Sequence, residues 1–182
     1  MNPQEAFSFL LGVFFNLAII LAMTRFLLQL VGADFYNPIS QFVVRATNPV
    51  LGPLRKLIPP GRQFDGASLV AVLVLIVAEV YVQFLLRHGG TPPGEILLLW
   101  SFNSLGSWVL GYFFVAVIIR VVLSWIMQDP RHPFFMIVNQ ITEPLMAPAR
   151  RILPPMGGLD LSPILVLIAL QFLMVLFFAG PR

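Results

Sequence analysis

The chain has 182 residues, of which 58% are hydrophobic and only 10% charged, with a mean hydropathy of +0.89. A soluble domain carries about 25% charged residues, so water cannot be the solvent for most of this surface. The absence of cysteine excludes disulfides, thiolate metal sites and cysteine nucleophiles, and the net charge of +3 sits beside apolar runs, which points to a membrane surface and not to nucleic acid.

The first element is an apolar run from Ala6 to Leu30, long enough to span a bilayer at about 20 residues per crossing. No basic segment precedes it and no small-residue cleavage site follows a short core, so it reads as a retained helix and not as a signal peptide. Arg25 lies near its inner end, about five residues or roughly 7 Å from the membrane edge, within reach of a snorkelling side chain. A connection of about 35 residues follows. Asn37-Pro38 supplies an N-cap and an N1 proline, and Ile39, Phe42, Val43 and Ala46 share one helical face. Thr47-Asn48-Pro49 is expected to restart the chain, with Val50, Leu51, Leu54, Leu57 and Ile58 forming a second stripe before Pro59-Pro60. The expectation is a pair of short amphipathic helices, lying at the interface or dipping in as a re-entrant hairpin.

Asp65 stands where the second span, Ala67 to Leu86, begins, and a carboxylate there caps amides and suits the positive end of the helix dipole. Glu79 lies roughly mid-membrane in this span, and an intramembrane carboxylate is a functional candidate by default. Ile96 to Phe102 either lengthens the third span or lies at the interface, with Trp100 and Trp108 as head-group-level anchors. The third span, Leu105 to Met127, carries Arg120. A second connection then repeats the two stripes with Phe134, Ile137, Val138 and Ile141, and with Leu145, Met146, Ala149, Ile152 and Leu153. Asp160 precedes the fourth span, Leu161 to Ala179.

These elements are two copies of one unit. At an offset of 95, residues 25–68 match residues 120–163 without a gap at twelve of forty-four positions, among them Arg25/Arg120, Thr47/Thr142, Arg55/Arg150 and Asp65/Asp160. Such self-similarity is the mark of an internal repeat. The expected fold is an all-α membrane protein with four transmembrane helices as two parallel repeats, residues 1–90 and 91–182, each with a paired helical hairpin between its spans. Lys and Arg concentrate in the two long connections (Arg45, Arg55, Lys56, Arg62; Arg131, Arg150, Arg151), so both connections are expected in the cytoplasm and both termini outside.

Chemistry is harder to find. The pairs Arg55/Lys56 and Arg150/Arg151 are candidates for binding anionic lipid head groups or an unidentified membrane partner. Ser107 with Gly111, and Ala67 with Ala71, have the spacing that lets helices approach closely, which favours either compact bundling within the chain or self-association into a homo-oligomer. His88 and His132, the only histidines, both lie beside turn residues outside the spans, a poor arrangement for a haem or metal site. No nucleotide-binding, metalloprotease or nucleophile-elbow motif is present, so no enzymatic activity and no cofactor is expected.

The run TEPLMAPARRILPPMGGLDLSP at 142–163 resembles the signature of the YggT (YlmG-like) family, and TNPVLGPLRKLIPPGRQFDGAS at 47–68 is similar to the first copy in its two-repeat bacterial members. The first copy departs from the motif in lacking the Gly157-Gly158 and Ser162-Pro163 pairs. The resemblance covers essentially the whole chain. It implies an integral inner-membrane protein of bacteria or plastids without an established enzymatic activity. Its relatives are linked to division, nucleoid or thylakoid organisation, assembly of cofactors on membrane cytochromes, and osmotic-stress tolerance. The expected role is therefore a scaffold or assembly factor presenting its basic connections at the cytoplasmic face. The competing expectations are a transport or channel component in osmotic or ion balance and, third, a haem-handling assembly factor.

Overall fold

The structure is a computed structural model, and it describes residues 3–59, 61, 63–127, 129, 131–154 and 160–178. Six helices account for nearly all of them: α1 (Pro3–Leu30), α2 (Pro38–Leu57), α3 (Gly66–His88), α4 (Gly94–Ile126), α5 (Pro133–Ile152) and α6 (Ser162–Phe178). Three of these, α1, α3 and α4, are long and apolar enough to cross a membrane, and α6 is an apolar helix of 17 described residues. The protein is a multi-pass membrane protein. Many large side chains point outward, including Phe9, Phe14, Leu98, Phe102 and Phe172, each more than 60% exposed. An apolar surface so continuous is stable only where lipid covers it.

Helix α4 settles the placement of Ile96 to Phe102. These residues continue the third apolar helix, so α4 runs for 33 residues, about 50 Å at 1.5 Å per residue, well beyond the hydrocarbon core. Trp100 packs edge-on against Phe84, with ring centroids 5.6 Å apart. Helix α3 ends at Gly89, whose φ of 69° suits a residue without a Cβ.

The connections differ from the sequence expectation. Each holds one continuous helix of 20 residues, not two short helices forming a hairpin, with Pro49 and Pro53 inside α2 and Pro144 and Pro148 inside α5. An interior proline removes one hydrogen bond and leaves the carbonyl four residues earlier without a donor. Here the two prolines of each helix are four residues apart and exposed, so both losses fall on one outer face. The opposite face keeps its ladder, and on it the Thr47 and Thr142 hydroxyls donate to Val43 O and Val138 O, each at 2.7 Å. The prolines therefore mark the outer side of each helix and do not break it. Pro60, Pro155, Gly157 and Gly158, which close the expected motif, lie outside the described residues.

The chain divides into two compact units, one of Met1–Leu30 with Phe42–Leu105 and the other of Val31–Gln41 with Gly106–Arg182. In the first, α1 packs along α3, with Ile19, Leu51, Ala67 and Ile76 fully buried. Polar groups join the start of α1 to the end of α3: Ser8 donates to Gln83 Oε1 at 2.7 Å, and Gln83 Nε2 donates back to Ser8 O at 3.2 Å. In the second, Val117 of α4, Met146 and Ala149 of α5, and Val166 and Leu170 of α6 form a buried cluster. Met146 is its largest fully enclosed side chain. Lipid tails are as apolar as a helix face, so what holds such a cluster together is close contact more than exclusion of water. Met146→Ala leaves a void and should cost about 2 kcal/mol, the lower end of the range for such truncations, read as a lowered unfolding midpoint in detergent micelles.

A polar cluster at the foot of each unit

In the first unit, three helices bring together the charged residues singled out in the sequence. Arg25 comes from α1, Thr47 and Arg55 from α2, and Asp65 stands at the start of α3. Asp65 is the N-cap of α3 and is fully buried. Its Oδ1 accepts from Ser68 N at 3.3 Å, its Oδ2 accepts from Ser68 Oγ at 2.6 Å, and Arg55 Nη2 closes an ion pair on the same oxygen. Arg25, 6% exposed, does not reach out to water as a snorkelling residue would. It turns inward and donates to Thr47 Oγ1 at 3.3 Å. The end of α1 is further tied down by Gln29 Nε2, which donates to Gly61 O at 2.8 Å, and by an edge-on contact of Phe26 with Phe64.

The second unit repeats this plan with one addition. Arg120 Nη1 donates to Thr142 Oγ1 at 2.9 Å, as Arg25 does to Thr47. Both of its terminal nitrogens also donate to Glu143 Oε2, at 3.2 Å each. Glu143 pairs through Oε1 with Arg150 Nη2, and Arg150 Nη1 lies 4.0 Å from Asp160 Oδ2. Asp160 Oδ1 in turn accepts from Ser162 N at 2.9 Å and Ser162 Oγ at 2.6 Å at the start of α6. Arg120, Glu143, Arg150 and Asp160 thus alternate in sign along one chain of contacts.

The basic pairs are split by this geometry. Arg55 and Arg150 face inward and complete the ion pairs. Lys56 and Arg151, one residue later, are exposed. Both sit in the last turn of their helix, where positive charge complements the dipole. Glu79 is half-buried within α3. His88 stacks on Phe84 with ring centroids 4.2 Å apart, and His132 is the N-cap of α5, accepting from Phe134 N at 3.3 Å. Both histidines therefore have local structural partners.

Sequence reasoning missed three kinds of participant. Thr47 and Thr142 are among the repeated identities but read there as restarts of the chain, not as hydroxyls placed for an arginine. Ser68 and Ser162 escape the 95-residue comparison because the serine shifts by one position between copies. Glu143 escapes because its counterpart is Asn48.

With this geometry in hand, the comparisons with known proteins are direct. The CCB3/YggT family profile matches residues 4–86 and again residues 99–180, so the two matches begin at the 95-residue offset of the duplication. The chain belongs to the CCB3/YggT family. It is 45% identical over 171 residues to the protein PA0392 of Pseudomonas aeruginosa, covering 93% of this chain and 87% of that one. It is 35% identical over 172 residues to YggT of Escherichia coli K12, covering 92% and 86%. The Porphyra purpurea protein ycf19 is 34% identical over 90 residues, 48% of this chain but 90% of its own length, so that relative has the length of one unit. No solved structure matches the chain.

Burial, the strongest influence on Asp65, pushes its carboxyl up, but the hydrogen bonds from Ser68 and Arg55 outweigh it and hold the group below its ordinary value of 3.8. Asp160 is held down in the same sense: burial raises it, while Ser162 and then Arg150 and Arg120 lower it by more. A carboxyl depressed in the folded state takes up protons more readily when unfolded, so its stabilisation is complete above pH 3.8 and is lost as the pH falls through the folded value. The unfolding midpoint should stay level down to about pH 5 and drop below about pH 4. Asp65→Asn leaves Arg55 without its counter-charge and should cost about 3 kcal/mol at neutral pH, while flattening the acid drop measured across a pH series.

Proposed function

We propose that the protein is a non-enzymatic integral membrane protein of the inner membrane, a scaffold or assembly factor that engages lipid head groups or membrane partners through α2 and α5 at the cytoplasmic face. Four spans in two parallel repeats, with both termini outside, make up the topology of this reading. One observation carries it. At the same helical position in both units, an exposed cation stands beside an exposed large apolar residue: Lys56 with Leu57, which is 80% exposed, and Arg151 with Ile152, which is 74% exposed. A helix that presents a cation and an apolar side chain together is suited to the boundary between head groups and acyl chains. In α2, Phe42 and Val50 add to the exposed apolar face, and Arg45 is exposed beside it. The inward arginines, and not Lys56 or Arg151, make the ion pairs of the clusters.

The discriminating variant is therefore K56E/R151E, since reversing Arg150 would break the cluster itself. This double charge reversal should leave insertion unchanged and cost no more than about 2 kcal/mol of stability, through the two helix dipoles that the cations complement. It should reduce photo-crosslinking from positions adjacent to Arg151, to anionic lipid or to protein, by at least about fivefold, since each cation near an anionic surface contributes about 1 kcal/mol. Unchanged crosslinking would remove the reading's main support.

A transport or channel component is the second reading. It is favoured by a polar cleft of about 560 Å³ between the outer halves of α1 and α3, lined in part by Gln4, Ser8, Asn16, Gln83 and Arg87. Against it, the second copy has Phe178 and Gly111 where the first has Gln83 and Asn16, so the polar lining is not repeated. This reading requires an ion flux in reconstituted vesicles that changes on Glu79→Gln. Flux no greater than that of empty vesicles would exclude it.

A further inference from the structure

The two polar clusters do not carry the same charge. In the second unit, Arg120 and Arg150 face Glu143 and Asp160, two cations against two carboxylates. In the first unit, Arg25 and Arg55 face Asp65 as the one carboxylate among the described residues, because Asn48 stands in the register position of Glu143. Arg25 lies within electrostatic reach of both Arg55 and Asp65. The single carboxylate is already committed: Asp65 takes two hydrogen bonds from Ser68 and the Arg55 ion pair. Among the described residues, Arg25 Nη1 donates to a neutral hydroxyl, that of Thr47, and Arg55 Nε is buried without a hydrogen-bond partner. Nor does the rest of α2 supply negative charge. Arg45 stands where the second unit has Gln140, which adds a cation on the same helix.

A guanidinium that is more than nine-tenths buried in low-dielectric surroundings needs a counter-charge and needs its N–H groups satisfied. The second unit shows how this fold meets that need, with one carboxylate bridging the two arginines from α5. Asn48 is neutral, shorter and exposed on α2, so its position is open from outside. We infer that the first unit binds an oxyanion between Arg25 and Arg55, at the position the Glu143 carboxylate occupies in the second unit, and that the anion is a phosphate group. Guanidinium forks bind phosphate through paired charge-assisted hydrogen bonds, and Thr47 and Asn48 add neutral polar groups beside them. The phosphate comes either from a lipid head group or from free phosphate in solution. The lipid source rests on the reading that this end of the unit meets head groups; the site itself does not.

The two units are each other's control. Asn48→Glu introduces into the first unit the carboxylate that the second already has, and Glu143→Asn removes it from the second. The full chain is reconstituted in phosphatidylcholine nanodiscs, with and without phosphatidylglycerol, and retained phosphatidylglycerol is counted by native mass spectrometry. Inorganic phosphate is titrated separately into the phosphatidylcholine nanodiscs, with the shift in unfolding temperature as the readout. Wild type should respond to at least one probe, N48E should lose apparent affinity by about tenfold or more, and E143N should gain a second site. Retention of phosphatidylglycerol without a response to inorganic phosphate assigns the lipid source. A response to inorganic phosphate in phosphatidylcholine assigns the free anion. N48E should also raise the unfolding temperature in the absence of either probe, which shows that it is folded and that its carboxylate has taken the site.

The proposal is overturned if N48E binds both probes as wild type does, or if wild type responds to neither. Lys56 and Arg151 are untouched in these variants, so this failure is separable from failure of the outward basic face to engage lipid or partners.

Discussion

An arginine turned inward toward an aspartate at the start of the next helix is the constraint around which each unit is organised, and in the first unit both Arg25 and Asp65 are buried. Within an apolar fold neither charge can be left alone, because the cost of removing it from water is recovered only by a partner at hydrogen-bonding distance. Asp65 meets that condition with the first turn of its own helix on one side and Arg55 on the other. The pairing ties the last turn of α2 to the first turn of α3. Arg25 with Thr47 ties the end of α1 to the middle of α2. The amphipathic helix is thus fastened at two points to the spans on either side of it, by contacts that lipid cannot replace.

This arrangement explains why residues that look interchangeable in the sequence have different fates. Arg55 and Lys56 are adjacent cations, as are Arg150 and Arg151, yet neighbouring residues on a helix point in directions about 100° apart. One can satisfy a carboxylate while the other faces outward. The prolines obey the same geometry. Placed four apart, Pro49 with Pro53 and Pro144 with Pro148 stack on the outer side of their helices, where a carbonyl without a donor is tolerated. The inner side keeps an unbroken ladder together with the threonine that meets the span arginine.

The duplication preserves this fastening and lets the rest drift. Arginine, threonine, arginine and aspartate recur at the same offset, while the serine beside the aspartate moves by one residue and still reaches it. The carboxylate at Glu143 has no counterpart in the first unit. The polar seam of Ser8 with Gln83 has none in the second, where Phe178 stands in place of Gln83. Two copies of one scaffold have therefore acquired different electrostatic and polar features while keeping the contacts that fold them.

Much of the fold was legible in the chain before any coordinates. Three long apolar helices, the 95-residue repeat, and Asp65 at the N-cap of α3 follow from hydropathy, identity and local chemistry, all of which act over short stretches of sequence. That Pro49 and Pro144 sit within continuous helices was not legible, because a proline ends or merely marks a helix according to which face the rest of the fold covers. Nor was the choice between Arg55 and Lys56, or the pairing of Arg120 with Glu143. Those depend on which side chains from separate helices arrive within about 3 Å of one another, and only the packing of α1, α2 and α3, and of α4, α5 and α6, decides that.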